Sequence, residues 1–105
     1  MALVLTHRRS EGARIITPSD SIEVIVKNIE LIRNKGGRKV KQACIEINDF
    51  ESIRYVNLNF NDPPYQVRED LCIFIGKSPS SNSIQVCYQG SIDKYYICRI
   101  YPKSL

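Results

Sequence analysis

Few side chains in this sequence are suited to catalysis. The chain has one histidine, His7, which stands beside two arginines and has no nucleophile next to it. A Ser-His-Asp or Cys-His arrangement would have to use this imidazole, and the neighbouring positive charges favour its neutral form. The glycine-rich phosphate loops of nucleotide enzymes are absent, and the acidic residues are scattered. These absences predict that the protein is not an enzyme.

Zinc-binding motifs are also missing. The four cysteines, Cys44, Cys72, Cys87 and Cys98, lie far apart and form no short Cys-x-x-Cys pair. A single histidine disfavours a mixed Cys/His site. Three of the cysteines lie in strand-like apolar runs, which is typical of buried thiols. We therefore predict four reduced thiols, no metal and no cofactor.

Long hydrophobic runs are absent as well. No apolar stretch approaches the roughly 18 residues that cross a bilayer. The N-terminal segment reaches His7 and two arginines too soon for a secretory signal. We therefore predict a cytoplasmic protein with no membrane contact.

The composition is that of one globular domain. The chain has 105 residues, of which 43% are hydrophobic and 25% charged, and this balance excludes a globally disordered protein. The formal net charge is +4. A basic balance is a mild indication of a polyanionic partner, although a basic soluble protein without such a partner explains it equally well.

β-Branched and aromatic residues dominate the chain, and they alternate with polar residues as in strands. Strands are predicted over 3–8, 13–17, 21–32, 39–47, 53–60, 72–75, 83–88 and 94–101. Asn34-Lys35-Gly36-Gly37 predicts a hairpin turn, because glycine accepts positive φ without a steric penalty. The last two strands are predicted to form a hairpin around 89–91. A short helical turn at 68–71 is the one candidate helix, so the fold class is mostly β.

The predicted hairpin tip between Arg33 and Lys41 carries five basic residues. A run of this kind on a hairpin is usually a solvated tip, and phosphate contact is the second interpretation. The sequence leaves both open.

Two segments carry a resemblance to a known family. The chain opens with LVLTHRRSE at 3–11. This resembles the opening of the carbon storage regulator family, which is an apolar strand followed by Thr, two basic residues, a variable residue, Gly and Glu. Arg8 and Glu11 match this pattern, whereas His7 replaces the first arginine and Ser10 replaces the glycine.

Further along, 19–26 resembles the family's second strand, and VREDL at 67–71 resembles its fifth strand and the start of its helix. The family's fourth strand aligns with either 43–49 or 56–63. We prefer 56–63, because it keeps an Asn-x-Pro element shortly before Arg68. The resemblance then implies a domain over 1–76 with an inserted hairpin around 33–52. Residues 77–105 become a C-terminal β-hairpin extension packed on the same domain.

The resemblance implies an intertwined homodimer in which the first strand of one chain lies beside the fifth strand of the other. It also implies a translational regulator that binds GGA-containing loops in messenger RNA leaders. By match, Arg68 is the principal RNA contact and is supported across the dimer by Leu5 and Arg8. His7 and Gln66 belong to the same predicted site. Arginines at a strand edge suit this role, because they contact phosphates and stack on loop bases.

A different class of function is the alternative. The chain could be a protein-interaction module that pairs with a second carbon storage regulator family protein and modulates it without binding RNA. The added hairpins at 33–41 and 83–101 would then form its interface. Their tyrosines suit a protein contact, and core packing explains them equally well.

Overall fold

The computed structural model describes residues 2–49, 51–78, 80–91 and 95–103. These residues form nine strands and contain no helix, which confirms the predicted mostly β fold. The strands are β1 (Ala2–Arg8), β2 (Gly12–Ile16), β3 (Ser21–Arg33), β4 (Lys39–Asn48), β5 (Ile53–Asn59), β6 (Tyr65–Arg68), β7 (Leu71–Gly76), β8 (Ser83–Gly90) and β9 (Tyr96–Ile100). The candidate helix at 68–71 is instead a tight turn from β6 to β7. No described helix could span a membrane.

The strands form two antiparallel sheets that pack on one core. Sheet A has the order β1-β8-β7-β6, and sheet B has the order β5-β4-β3-β2-β9. Strand alternation turns one face of each sheet inward: Ile22, Val24 and Val26 of β3 are buried, as are Leu71 and Ile73 of β7. Each fully buried aliphatic side chain of this kind contributes about 1.5–3 kcal/mol.

The predicted inserted hairpin forms, and the predicted C-terminal hairpin does not. β3 and β4 pair around the turn at 34–38, as the Asn-Lys-Gly-Gly signal indicates. β8, however, lies between β1 and β7 in sheet A, whereas β9 pairs with β2 in sheet B. The pairing predicted for 83–88 with 94–101 is therefore wrong, although both are strands where the chain is described; Lys94 lies outside the described residues. β8 is a central strand of sheet A, so 77–105 is not an added hairpin.

The N-terminal strand has its partner within the chain. β1 pairs with β8 along its whole length, from Ala2 opposite Gln89 to Arg8 opposite Ser83. The Arg99 guanidinium donates to the Thr6 carbonyl at 2.9 Å, and the Arg8 N–H donates to the Glu11 carboxylate at 2.7 Å. β1 is nevertheless an edge strand of sheet A, so in the described chain only one of its two edges is paired with another strand. The dimer that the resemblance implies would use the other edge.

The four cysteines carry free thiols on separate strands. Cys87 is buried as predicted, whereas Cys44, Cys72 and Cys98 are partly exposed. The apolar runs that contain them have only one face turned to the core, which the run alone does not reveal.

The turn between β1 and β2 holds a strained residue. Ser10 has a φ of 72°, and its N–H donates to the Val26 carbonyl at 2.7 Å. A side chain in this left-handed region costs about 1–2 kcal/mol, and glycine avoids most of that cost.

We expect Ser10→Gly to raise the free energy of unfolding by about 1 kcal/mol, measured by urea unfolding. Ser19→Gly is the matched control, because Ser19 lies in a turn at ordinary φ. This variant should not raise the free energy of unfolding. A lower urea midpoint for Ser10→Gly than for wild type would contradict this reading of the turn.

Candidate nucleic-acid interface

Antiparallel pairing gathers the turns at two opposite ends of the sandwich. We call one the arm end; it holds the turns at 9–11, 34–38 and 77–82. The Lys41 ammonium joins two of them, donating to the Ser83 carbonyl at 3.0 Å and to the carbonyls of Ser78 and Ser80. We call the other the cleft end; it holds the turns at 17–20, 49–52 and 69–70, of which the first and last meet through Arg68 and Asp20.

Basic residues concentrate at the arm end. They are Arg8, Arg9, Lys27, Arg33, Lys35, Arg38, Lys39, Lys41 and Lys77. The acidic residues described at this end are Glu11, Glu30 and Asp62. In the described part of the chain, none of these bases forms a salt bridge. Their charges therefore sum to a strong positive field at one end of the molecule.

Acidic residues concentrate at the cleft end. They are Asp20, Glu23, Asp49, Glu51, Glu69 and Asp70. The bases described there are each paired with one of these acids: Arg14 with Glu23 at 3.1 Å, Arg68 with Asp20 at 2.9 Å and Arg54 with Asp49 at 4.0 Å. Four of these acids, Asp20, Glu23, Asp49 and Glu51, line an open cleft of ≈ 990 Å³ together with Arg14 and Arg68. A polyanion approaching this end meets mostly negative charge.

Arg68, the predicted principal RNA contact, lies in this acidic cleft. Its guanidinium holds both carboxylate oxygens of Asp20, with Nη1 to Oδ1 at 3.2 Å and Nη2 to Oδ2 at 2.9 Å. The hydrogen bond from Arg68, with another from Thr17, lowers the pKa of Asp20 to about 2. The fork that would grip a phosphate is therefore already occupied by a carboxylate of its own chain.

Gln66 and the β1 residues lie far from one another in the chain's own sheet. β6, which carries Gln66 and Arg68, and β1, which carries Leu5 and Arg8, are the two opposite edges of sheet A. The Gln66 amide donates to the backbone carbonyls of Arg68 and Leu71. A single chain does not bring these predicted contacts together; the resemblance joins them across two chains.

His7 is part of the core. Its side chain is 1% exposed, and its Nε2 lies 3.0 Å from the Tyr88 hydroxyl. Burial, and then the positive charge of Arg99, lower the pKa of His7 to about 4. The imidazole is neutral, as the sequence indicated, but the causes are burial and Arg99 rather than the adjacent arginines. A buried neutral ring does not contact RNA, so His7 is a packing residue and its assignment to the site is wrong.

The other two β1 residues differ in exposure. Leu5 is partly buried and packs against the core, whereas Arg8 is exposed at the arm end. Arg8 is therefore the residue at which the resemblance and the charge distribution agree.

The β3–β4 hairpin projects beyond the sheet at the arm end. β2 pairs with β3 only as far as Ile25, and β5 pairs with β4 only as far as Gln42. Residues 28–30 of β3 lie opposite 42–44 of β4, which still pair with β5. Residues 31–41, which we call the arm, therefore form a two-stranded ribbon with a turn at its tip. Three residues of β3 lie in the arm, which at about 3.3 Å per residue gives its strands a length of about 10 Å.

The tip of the arm is ordered by hydrogen bonds. The Asn34 side-chain oxygen accepts from the N–H groups of Gly36 and Arg38, each at 3.0 Å. The Arg33 guanidinium donates to the Gly37 carbonyl at 3.0 Å, and Gly37 has a φ of 78°. The exposed cations of the tip are thus presented from a fixed loop. The basic run at 33–41 was the sequence signal for this surface, and it left contact and solvation undecided.

Comparison of the chain with protein-family profiles, with curated proteins and with solved structures gives no match. The resemblance to the carbon storage regulator family stays a prediction.

Proposed function

We propose that the protein is an RNA-binding post-transcriptional regulator and that its arm end contacts the RNA. The observation that carries the proposal is the separation of charge: among the described residues, the bases at the arm end form no salt bridge, whereas those at the cleft end are paired with acids. Cations without a salt bridge can neutralise phosphates, and the release of counterions from the RNA then favours binding.

The separation of charge also sets the orientation of binding. An RNA attracted to the arm end is repelled from the cleft end, so the two ends together turn the molecule toward its ligand. The net charge of +4 alone does not have this property. An uneven distribution of the charges therefore favours a polyanionic partner more strongly than the same net charge spread uniformly over the surface.

The preference for GGA loops and the regulation of translation rest on the resemblance. Arg8 connects the two arguments, because it matches the family's opening and lies exposed at the arm end. A homodimer belongs to the same proposal, since β1 and β6 are the two edges of sheet A and β1 of one chain could pair with β6 of the other without losing its pairing with β8.

The first experiment measures the affinity of the protein for a GGA stem-loop and for the same stem with a scrambled loop, at one stated salt concentration. We expect the GGA loop to bind more tightly. Equal affinity for both loops would remove the GGA preference and leave electrostatic RNA binding. Failure to bind either RNA would contradict the proposal.

Arg8 supplies a matched pair of substitutions. Arg8→Ala and Arg14→Ala each remove one exposed strand arginine, the first at the arm end and the second at the cleft end. A charge-assisted contact contributes about 1.5–3 kcal/mol, so we expect Arg8→Ala to weaken RNA binding by about tenfold or more. Arg14→Ala should leave the affinity nearly unchanged. Equal losses in the two variants would show that only net charge matters.

A protein-interaction module remains the second candidate, and one observation favours it. Tyr55, Tyr96 and Tyr101 are 61%, 69% and 62% exposed. Exposed tyrosines are enriched at protein interfaces. A wild-type protein that binds neither RNA would make this candidate the leading one.

A further inference from the structure

We propose that the arm binds the phosphate backbone of a double-helical RNA stem, independently of base sequence. The inference rests on the proposed function, and it assigns to the arm a part of the RNA other than the loop. It concerns residues 31–41, most of which fall in the segment around 33–52 that the resemblance treats as an insertion.

The chemistry of the arm favours phosphates over bases. Its exposed cations include Arg33, Lys35, Arg38 and Lys39, and it contains no aromatic residue. Proteins that bind single-stranded RNA combine positive charge with aromatic rings on which the bases stack. The arm offers the charge without the rings, so its contacts lie on the backbone of the ligand.

The shape of the arm favours a double helix. The β2 and β5 ladders both end before the arm begins, so the arm is a projecting ribbon rather than a groove that a single strand could follow. Several cations crowd the end of this ribbon, and a duplex offers phosphates from two strands within the same reach. The major groove of A-form RNA is too narrow and deep for side chains to read its bases, so a duplex is contacted at its phosphates and 2′-hydroxyls, and cations favour the phosphates.

One basic side chain of the arm is excluded from this role. The Lys41 ammonium is held by the carbonyls of Ser78, Ser80 and Ser83, so it ties the arm to the β7–β8 turn. This contact holds the base of the arm, and the hydrogen bonds of Asn34 order its tip. A ribbon held in this way presents Lys35, Arg38 and Lys39 with little further ordering on binding.

The test uses a blunt RNA duplex that lacks GGA, and a single strand of equal length and composition that cannot pair. Two variants of the full chain are compared with wild type. The arm triple variant combines Lys35→Ala, Arg38→Ala and Lys39→Ala. The charge-preserving variant exchanges the same residues as Lys35→Arg, Arg38→Lys and Lys39→Arg. All three positions are exposed, so both variants should keep the wild-type circular dichroism spectrum and urea midpoint.

We expect wild type to bind the duplex more tightly than the single strand. The arm triple variant should lose about tenfold or more in duplex affinity, and the slope of log affinity against log salt should become shallower by about 2–3, at about 0.9 per phosphate contact. The charge-preserving variant should bind like wild type, because counterion release depends on the number of cations that neutralise phosphates.

Equal binding of the two RNAs by wild type, or duplex affinity that survives the arm triple variant, would overturn the inference. Selective GGA-loop binding without duplex binding would refute it while leaving the proposed function intact. Duplex binding without loop discrimination would support it and remove the GGA preference.

Discussion

Replacing Gly12 with alanine is expected to abolish or severely weaken folding. Gly12 is buried at the start of β2, between Ile25 of β3 and Ile100 of β9. A Cβ added there would lie 1.9 Å from the Val24 carbonyl oxygen and 2.8 Å from the Ile25 Cα. These atoms belong to the backbone of the neighbouring strand, so no flexible side chain can move aside.

The loss of stability expected for Gly12→Ala is large because the added Cβ clashes with the backbone of β3. Overpacking a core costs about 1–3 kcal/mol and occasionally more, and a Cβ placed 1.9 Å from a backbone oxygen lies at the upper end of this range. Small domains are stable by only about 5–15 kcal/mol in total. We therefore expect Gly12→Ala to lose at least about 3 kcal/mol, or to be recovered unfolded, as measured by urea unfolding.

Gly36→Ala is the matched control. Gly36 lies in the exposed tip of the arm, where the nearest atom to an added Cβ is the Asn34 side-chain oxygen at 3.5 Å, an ordinary contact. This variant should stay within about 0.5 kcal/mol of wild type. Equal urea midpoints for Gly12→Ala and wild type would mean that β2 does not pack against β3 as described.

Acid is expected to destabilise the protein through its one histidine. His7 has a pKa near 6.5 in the unfolded chain and about 4 in the fold, because the buried site disfavours the charged ring. Between these values the unfolded state binds more protons, so the free energy of unfolding falls as the pH falls from about 6.5 to 4. At 1.36 kcal/mol per pKa unit, the total loss is about 3 kcal/mol.

The pH range over which stability is lost distinguishes His7 from Asp20. The pKa of Asp20 is lowered to about 2, so the stability that it contributes is present above about 3.8 and is lost as the pH falls toward 2. Urea midpoints measured every half unit from pH 7.5 to 4 should therefore report mainly on His7. His7→Phe keeps a planar ring that does not titrate, so it should flatten the upper part of this dependence, from a lower starting stability because the buried Tyr88 hydroxyl loses its hydrogen bond. A wild-type midpoint that does not change between pH 6.5 and 5 would contradict the burial of His7.

The sequence was most informative where structure is local. Alternating apolar residues predicted most of the strands, and Asn34-Lys35-Gly36-Gly37 predicted the hairpin turn. Leu3, Leu5 and His7 share one face of β1 at a period of two, which was the available signal that His7 points to the core. The resemblance, which has an arginine at this position, directed the interpretation to RNA instead.

The pairing of strands could not be predicted from local sequence patterns. The pattern of 83–101 indicates two strands in succession, and a hairpin is the simplest pairing for neighbours. Nothing local reveals that β8 is placed between β1 and β7 while β9 crosses to sheet B, because these contacts join segments that are distant in the chain. The pairing of Arg68 with Asp20, 48 residues apart, is long-range for the same reason.

The sequence alone indicated part of the candidate interface. The five basic residues from 33 to 41 are evident in the sequence, whereas their separation from the acids is a property of the fold. Antiparallel pairing places the basic hairpin turn and the acidic turns at opposite ends. That arrangement moves the expected RNA contact from Arg68 to the arm.

The most direct test of this account compares two sets of substitutions on one RNA, the GGA stem-loop, at fixed salt. The arm triple variant removes the cations that the charge distribution assigns to RNA binding, and Arg68→Ala removes the contact that the resemblance assigns. Both changes are at least partly solvent-exposed, so both proteins should fold. We predict that the arm triple variant binds about tenfold or more weakly and that Arg68→Ala stays within about threefold of wild type. A large loss for Arg68→Ala with wild-type affinity for the arm triple variant would contradict the account.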